Sequence, residues 1–459
     1  MIKFLQAFNE FLWGAPLIIA IIGTGIIISI ATRAIQFRKF SFALKNTLGK
    51  VFDKSHKDAD GDISPFQALA TALAGTVGTG NIVGVSLAIM LGGPGAIFWM
   101  WMAAILGMAT KYAEVTLAVA FREKKNNNFI GGPMYYIEKG LGNKKLANAF
   151  AFFAGIAVFG IGNSTQSNAI AGVLKTNFSI SPFVTGIVLS IIAGFVIMGG
   201  IKTITRVTSR LVPLMSLIYI IGCLMILFIN KDAIIPSFSA IFVGAFSPKS
   251  LGGSMIALSF KDAISAGVAR GVFTNEAGLG SSPIAHASAS TDHPVRQGLW
   301  GIAEVFVDTI IICTMTALVI LTTGVYKIPA VDASSLVAHA FSTGSSFGSY
   351  VVTIGQTLFA LSTILGWAYY GEQSISYIFG EKIIKYYRII YIIFVFIGAN
   401  MDLGLAWVIA NILNGFMAVP NLYAVIRLSP VVVALTKDFF KDPEKIRKST
   451  EEYQSCLKL

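Results

Sequence analysis

Charged side chains are scarce in this sequence: Asp, Glu, Lys and Arg make up 13% of its 459 residues, against about 25% in a soluble globular chain. That shortage excludes a water-facing surface over most of the molecule. Cysteine is rarer still. Cys223, Cys313 and Cys456 form no disulfide framework, no CxxC pair and no metal-ligand spacing, and the first two sit in apolar runs as packing residues. The four histidines, His56, His286, His293 and His339, are scattered, mostly in loops or at the ends of apolar runs, and suggest no metal cluster. A Walker-type phosphate loop is missing, which argues against ATP-driven work. Neither an HExxH motif nor a Ser/His arrangement offers a hydrolytic centre. The chain is therefore expected not to be an enzyme.

What is abundant is apolar. Hydrophobic residues make up 55% of the chain, and the mean hydropathy is +0.72. Runs of roughly 20 apolar residues, each long enough to span bilayer hydrocarbon, recur at 14–32, 65–90, 95–121, 147–173, 183–199, 211–229, 256–280, 297–325, 350–372, 383–399 and 404–419. The opening "MIKFLQAFNEFLWGAPLIIAIIGTGIIISIAT" reads as a retained first span, because its apolar run is long and no small-residue cleavage site follows it. The net charge of +12 lies in loops and at the tail, a placement that suits lipid headgroups and topology rather than nucleic acid. Basic segments after the first span, at "REKKNNN", at Lys202, Arg206 and Arg210, and at Lys382, Lys385 and Arg388 alternate as cytoplasmic loops should. Eleven crossings with the N-terminus outside and a basic cytoplasmic tail at 437–459 satisfy them all. The stretch "AVPNLYAVIRLSPVVVAL" is expected to be interfacial or folded back, since a twelfth crossing would put that tail outside.

The expected fold is an all-α polytopic membrane protein forming one transmembrane domain over 1–459. Beyond the extra N-terminal span, ten spans divide into halves at 65–229 and 256–419. Five spans per half give the halves opposite orientations. Each half opens with an interrupted span, at "GTVGTGN" and at "ISAGVARGVFTNEAGLGSSP". Each also carries an amphipathic insert between its second and third spans, "NFIGGPMYYIEKGLG" and "VDASSLVAHAFSTGSSF". Breaks at matching positions of two halves are the signature of an inverted-repeat secondary transporter.

The stretch "AGTVGTGNIVGV" at Ala74–Val85 carries four glycines, and each costs a helix roughly 1 kcal/mol relative to Ala. An unwound backbone in hydrocarbon is tolerated only where it lines a protein-enclosed or wet cavity. A break would leave N–H groups and a positive dipole end for an anion, and free carbonyls for a cation. Glycines also let helices pack closely; the paired break in the second half favours a site.

The quoted residues resemble a known family. "GTGNIVGVSLAIMLGGPGAIFWMWMAAILGMATKYAEV" from Gly78, "GGPMYYIEKGLG" from Gly131, "GIGNSTQSNA" from Gly160, "RGVFTNEAGLGSSPIAHASA" from Arg270 and "LSTILGWAYYGE" from Leu361 are similar to the alanine or glycine:cation symporters, in matching order from about Trp13 to Pro420. The resemblance implies a prokaryotic plasma-membrane carrier of alanine and glycine coupled to sodium, with the five-plus-five repeat of the amino acid–polyamine–organocation superfamily. Proton coupling on the same fold is the alternative. The resemblance implies that the N–H groups of Thr79 and Gly80 take the substrate carboxylate. It implies that the carbonyls of Ala74 and Val77, with the hydroxyls of Ser362 and Thr363, take Na+. Those hydroxyls could also bond back to their own helix.

Other residues carry two readings each. Asn81 either binds substrate or ion or caps the second half-helix. Gln166 and Asn163 either contact substrate or bond between helices. Phe273 and Trp367 would bound the pocket volume as well as pack. Asn275 and Glu276 sit in the second break, with Glu276 expected to lock that break to Arg270. Lys111 and Glu114, three apart on one helix face, are expected to pair with each other or to snorkel. Glu304 and Asp308, four apart, admit a proton relay. A channel would want a continuous polar pore, and two unlike breaks in one chain fit a carrier better. Partners are the small amino acid, sodium and membrane lipids.

Overall fold

The computed structural model describes residues 2–51, 60–126, 128–246, 260–328, 333–344, 348–401 and 404–444. The start of the second half at 256–259, parts of its insert and the tail beyond 444 lie outside the described residues. Apart from one two-stranded hairpin, Glu123–Lys125 with Asn128–Ile130, regular structure among the described residues is helical. That is what hydrocarbon demands of a chain whose backbone must pair within itself.

The principal helices run in order as α1 (Ala15–Ala31), α2 (Pro65–Thr76), α3 (Val83–Gly92), α4 (Ala96–Ala120), α5 (Lys144–Val158), α6 (Thr165–Phe178), α7 (Pro182–Met198), α8 (Gly200–Ile229), α9 (Phe260–Asn275), α10 (Pro294–Val305), α11 (Thr314–Thr323), α12 (Gly348–Phe379), α13 (Ile384–Asn400), α14 (Gly404–Arg427) and α15 (Ser429–Phe439). Eight helical segments among the described residues are long and apolar enough to cross a membrane, and α2 with the Thr79–Gly92 helix, bent by 62° at the break, makes a ninth. A count of eleven includes α7, at 17 residues, and the second broken span, whose first half α9 has 16.

Burial separates a centre from a periphery. The most apolar window of α4 is 83% buried, that of α12 72%, and those of α1 and the α13 segment 33% and 28%. Thus α4 and α12 form the middle of the bundle, while α1 and α13 face outward. α4 packs along α9 and α10, and α12 packs along α2, α6 and α8. Both broken spans are therefore held by central helices.

Local chemistry sets the break positions. Ser64 starts α2 with a capping box: its hydroxyl accepts from Gln67 N–H at 3.1 Å, and the Gln67 side chain accepts from Ser64 N–H at 2.9 Å. α2 stops at Val77, whose backbone is extended, and Gly78 stays extended before a single 3-10 turn at Thr79–Asn81 leads into α3. In the second half α9 ends at Asn275. Glu276 then takes a left-handed backbone at φ 54, at a cost of about 1–2 kcal/mol for a residue with a Cβ. One short helix, Pro283–His286, follows the break.

Two departures from the sequence expectation have clear causes. The span expected to end at 419 continues through Pro420 to Arg427, because membrane helices tolerate proline where neighbours re-satisfy the freed backbone. The stretch expected to be interfacial or folded back divides between the end of α14 and α15, an 11-residue helix lying against α1, α4 and α10. In addition, two spans widen into π-helix, at Phe159–Ser164 between α5 and α6 and at Phe306–Cys313 between α10 and α11. Such segments are often found at functional sites.

Candidate functional site

The first break is closed by its own residues. Gly78 N–H donates to Asn81 Oδ1 at 2.9 Å, Asn81 N–H returns to Gly78 O at 3.2 Å, and Ile82 N–H reaches Thr79 O at 3.3 Å. None of these bonds uses the N–H of Thr79 or Gly80. Both residues line a cavity of about 420 Å³, together with Phe273, Asn168, Arg270 and Gln356. The cavity extends past Asn177 and Ser335, towards the face where α6 ends.

Asn81 is fully buried and does not line that cavity. Its amide donates to Asp308 Oδ1 at 2.7 Å and to Asp308 O at 3.2 Å, so it joins the break to the π segment of the seventh core span. Gln166 donates to Ile161 O at 3.0 Å. Its Oε1 is buried without a hydrogen-bond partner, 3.5 Å from where a Cβ on Gly78 would stand. A buried acceptor left open beside the break suits an ammonium group. Asn163 donates to Tyr391 O at 2.8 Å, between helices.

The hydroxyls of α12 face the end of α2. Ser362 Oγ lies 3.4 Å from Ala74 O and 2.8 Å from Phe359 O. Thr363 Oγ1 donates to Phe359 O at 3.0 Å, and a methyl on Gly78 would fall 2.6 Å from it. Val77 is the residue at which α2 stops. Ala74, Val77, Ser362 and Thr363 thus gather at one helix end, a set of carbonyls and hydroxyls suited to a small hard cation. Among the described residues, no cluster of His, Cys, Asp and Glu could hold a metal ion.

Of the remaining predicted residues, Asn275 and Trp367 do not line this cavity. Asn275 spends its side chain on the second break, donating to Thr309 Oγ1 at 3.2 Å and accepting from Ala277 N–H at 3.0 Å. Trp367 is a wedge. Its Nε1 donates to Gly75 O at 3.2 Å and to Glu276 Oε1 at 3.0 Å, and its Cβ lies against Gly162, where a methyl would sit only 2.2 Å away. It connects both breaks with the first π segment. Phe273 does line the cavity.

The ionisable residues pair differently from the sequence expectation. Glu276 bonds Ser281 and Trp367 rather than Arg270. Lys111 and Glu114 neither pair with each other nor reach water: both are fully buried. Lys111 Nζ lies 3.4 Å from Glu304 Oε1 and donates to Ser282 Oγ at 2.8 Å and Glu276 O at 3.2 Å. Glu114 accepts from Gly278 N–H at 3.1 Å and from the Asn421 amide. Glu304 also faces His286 Nε2 at 3.0 Å, and the Gln297 amide lies 2.8 Å from His286 Nδ1. Two charged residues of α4 therefore hold the unwound second break from behind. Glu304 and Asp308 have different partners, and the π segment begins between them at Phe306.

Sequence reasoning missed Arg122, which it had read as part of a basic loop. Its guanidinium donates to Ala287 O at 3.2 Å, Ala289 O at 2.7 Å, Asp60 O at 2.8 Å and Thr291 O at 3.4 Å. It thereby ties the lead-in of the first broken span to the exit of the second. Backbone bonds cross the same seam from Asp62 N–H to Ser288 O and from Ser290 N–H to Ile63 O. A second cavity of about 380 Å³ lies at this end, lined by Asp62, Phe129, Lys202, Tyr369, Glu372 and Arg388.

The break makes one sharp expectation. A methyl on Gly80 would stand 3.0 Å from Thr274 Cγ2 and 3.4 Å from Phe273 Cδ1, whereas one on Gly84 would stand 3.9 Å from Thr274 Cγ2. Displacing a charge-assisted bond costs on the order of 1.5–3 kcal/mol, about ten- to a hundredfold in affinity. Gly80→Ala should weaken substrate binding at least about tenfold in a scintillation proximity assay, and Gly84→Ala should leave it nearly normal. Normal affinity in Gly80→Ala would place the substrate elsewhere.

Two broken spans meeting between cavities at opposite ends define a membrane carrier. The structure is similar to that of MhsT in complex with L-phenylalanine, with a TM-score of 0.56 at 12% identity over 82% of this chain and 99% of that one. It is also similar to a Na+-coupled sialic acid symporter, with a TM-score of 0.55 at 13% identity over 91% of this chain and 98% of that one; the fold is the LeuT fold. Residues 1–454 match the sodium:alanine symporter family, and the chain belongs to it. The sodium/alanine symporter AgcS of Methanococcus maripaludis is 47% identical over 95% of this chain and 97% of its own length. The probable sodium/glutamine symporter GlnT of Bacillus subtilis is 35% identical over 98% and 93%. The protein is thus a multi-pass amino-acid symporter rather than an enzyme.

Proposed function

We propose that the chain couples sodium influx to uptake of alanine and glycine across a prokaryotic plasma membrane, N-terminus outside, by alternating access of two inverted five-span repeats. The observation that carries this reading is the first break. Thr79 and Gly80 line the cavity, and their N–H groups are not spent on closing the turn, while Ser362 faces Ala74 O one turn earlier. A zwitterion and a cation fit side by side there, the carboxylate on the N–H groups and the ion on carbonyls and hydroxyls. Gln166 Oε1 receives the ammonium. The 420 Å³ cavity is the outer path and the Arg122 seam the closed inner one. Phe273, on the cavity wall, limits the side chain, so leucine and phenylalanine should not compete with alanine.

The test is alanine uptake into vesicles as sodium is varied at fixed pH. Uptake should rise steeply with sodium, and Ser362→Ala with Thr363→Ala should weaken that dependence far more than it lowers expression. Equal uptake in sodium and choline buffers overturns the sodium assignment. One observation favours proton coupling as a second reading: Asp308 is fully buried beside Asn81 and also accepts from the Thr309 hydroxyl at 2.7 Å, both neutral donors. Under that reading uptake follows pH rather than sodium, and Asp308→Asn abolishes the pH dependence.

A further inference from the structure

We propose that the chain carries a binding site for a phosphate-bearing anion where the end of α1 meets α15. A cavity of about 340 Å³ opens there, and four of the nine described residues that line it are cations: Arg33, Arg38, Lys437 and Lys441. No acidic residue is among the nine. All four cations are exposed at the cavity rim. None of them takes part in an ion pair among the described residues.

The site is built rather than incidental. α1 ends at Ala31, and Arg33 and Ala34 take left-handed backbones at φ 56 and φ 51, in a turn where glycine is the usual occupant. That turn sends the chain into the short helix Ile35–Arg38 and sets both arginines at one edge of the cavity. The opposite edge is α15, fixed from behind. Thr436 Oγ1 lies 2.6 Å from Tyr112 OH on α4, and Arg296 donates to Pro443 O at 3.1 Å. Lys39 sits 4.5 Å from the centre of the Phe440 ring. The two edges therefore hold their charges close together, against self-repulsion, on elements the fold has fastened.

Charge and depth identify the ligand class. The arginines begin two residues past the end of an apolar span, at the level where lipid phosphates lie. Arginine forks match phosphate oxygens bidentately, and lysines add point charge. The ligand is a phosphate group, carried by an anionic phospholipid or free in solution.

The experiment uses purified full-length protein in neutral detergent. Its thermal midpoint is followed while short-chain phosphatidylglycerol, short-chain phosphatidylcholine or inorganic phosphate is added at matched concentrations. Phosphatidylglycerol should raise the midpoint and phosphatidylcholine should not. A rise with inorganic phosphate as large as that with phosphatidylglycerol assigns the site to free phosphate; a smaller one assigns it to lipid. The variant Arg33→Gln, Arg38→Gln, Lys437→Gln, Lys441→Gln should need at least about tenfold more ligand for the same rise. A charge-matched control, Lys144→Gln, Lys145→Gln, Lys382→Gln, Lys385→Gln, should respond as the parent does. If the fourfold variant does not fold, Arg38→Gln with Lys441→Gln reads the same dependence. An unchanged response in the cavity variant, an equal loss in the control, equal effects of both lipids, or no effect of any ligand overturns the proposal.

Discussion

Lys111→Met should lose a large part of the protein's folding stability. Lys111 is fully buried and sits among Glu304, Ser282 and the Glu276 carbonyl. Removing one partner of a buried ion pair costs about 3–5 kcal/mol, since the other charge is left uncompensated. A whole domain is stable by only about 5–15 kcal/mol. The cost falls on the second break in particular, because Ser282 and Glu276 belong to the turn that Lys111 holds. The thermal midpoint in detergent should drop steeply, and Lys111→Met with Glu304→Gln should recover a large part of the loss. A single variant as stable as the parent would mean that Glu304 is already neutral and that the lysine is held by hydrogen bonds alone.

Arg122→Ala should open the seam between the two broken spans without unfolding the protein. Four hydrogen bonds from one cation join residues 60 and 287–291. A bond to a charged group contributes about 1.5–3 kcal/mol. The alanine variant loses all four, and water entering the opened seam regains part. A net change of about 3 kcal/mol corresponds to roughly a hundredfold in the opening equilibrium. The N–H groups of Asp62, Ile63, Ser290 and Thr291 bond across this seam, so their hydrogen exchange reports the opening directly. Exchange at those amides should accelerate by about a hundredfold, with that of α8 and α13 unchanged. Arg122→Lys, which keeps the charge without the planar fork, should fall between. Unchanged exchange in Arg122→Ala would show that the backbone bonds close the seam unaided.

Much of the membrane architecture was legible in the sequence, because apolar length and glycine clustering are local properties. The unwinding at Gly78–Asn81 and the turn after Asn275 fall where those patterns placed them. What was not legible depends on residues far apart in the chain. A lone lysine on an apolar helix looks the same whether it reaches for the interface or, like Lys111, meets a glutamate on another span. Arg122 was hidden by its basic neighbours in "REKKNNN": charge density marks a cytoplasmic loop but does not say which cation turns inward. Glu304 and Asp308, four apart, admitted a proton relay; that Glu304 meets Lys111 and His286 while Asp308 meets Asn81 depends on partners on other elements. The placing of Asn81, Asn275 and Trp367 away from the cavity wall could not be read at all, since residue type does not reveal whether an amide or an indole is spent on the fold.

The two π segments limit how this chain can change length. Each holds one residue more per turn than the helix around it, so losing a single residue from Phe306–Cys313 would restore the tighter winding. Thr314, which receives Trp101 Nε1 at 2.8 Å, would keep its partner, because the segment already carries the extra residue. A residue lost from the α-helical winding on either side has nothing to absorb it, and everything beyond rotates by roughly 100° and shifts by about 1.5 Å. The same holds beside Phe159–Ser164, where Gly162 must stay under Trp367. Single-residue deletions scanned along both helices should therefore be tolerated best inside the two segments and abolish transport most sharply in the α-helical stretches that flank them.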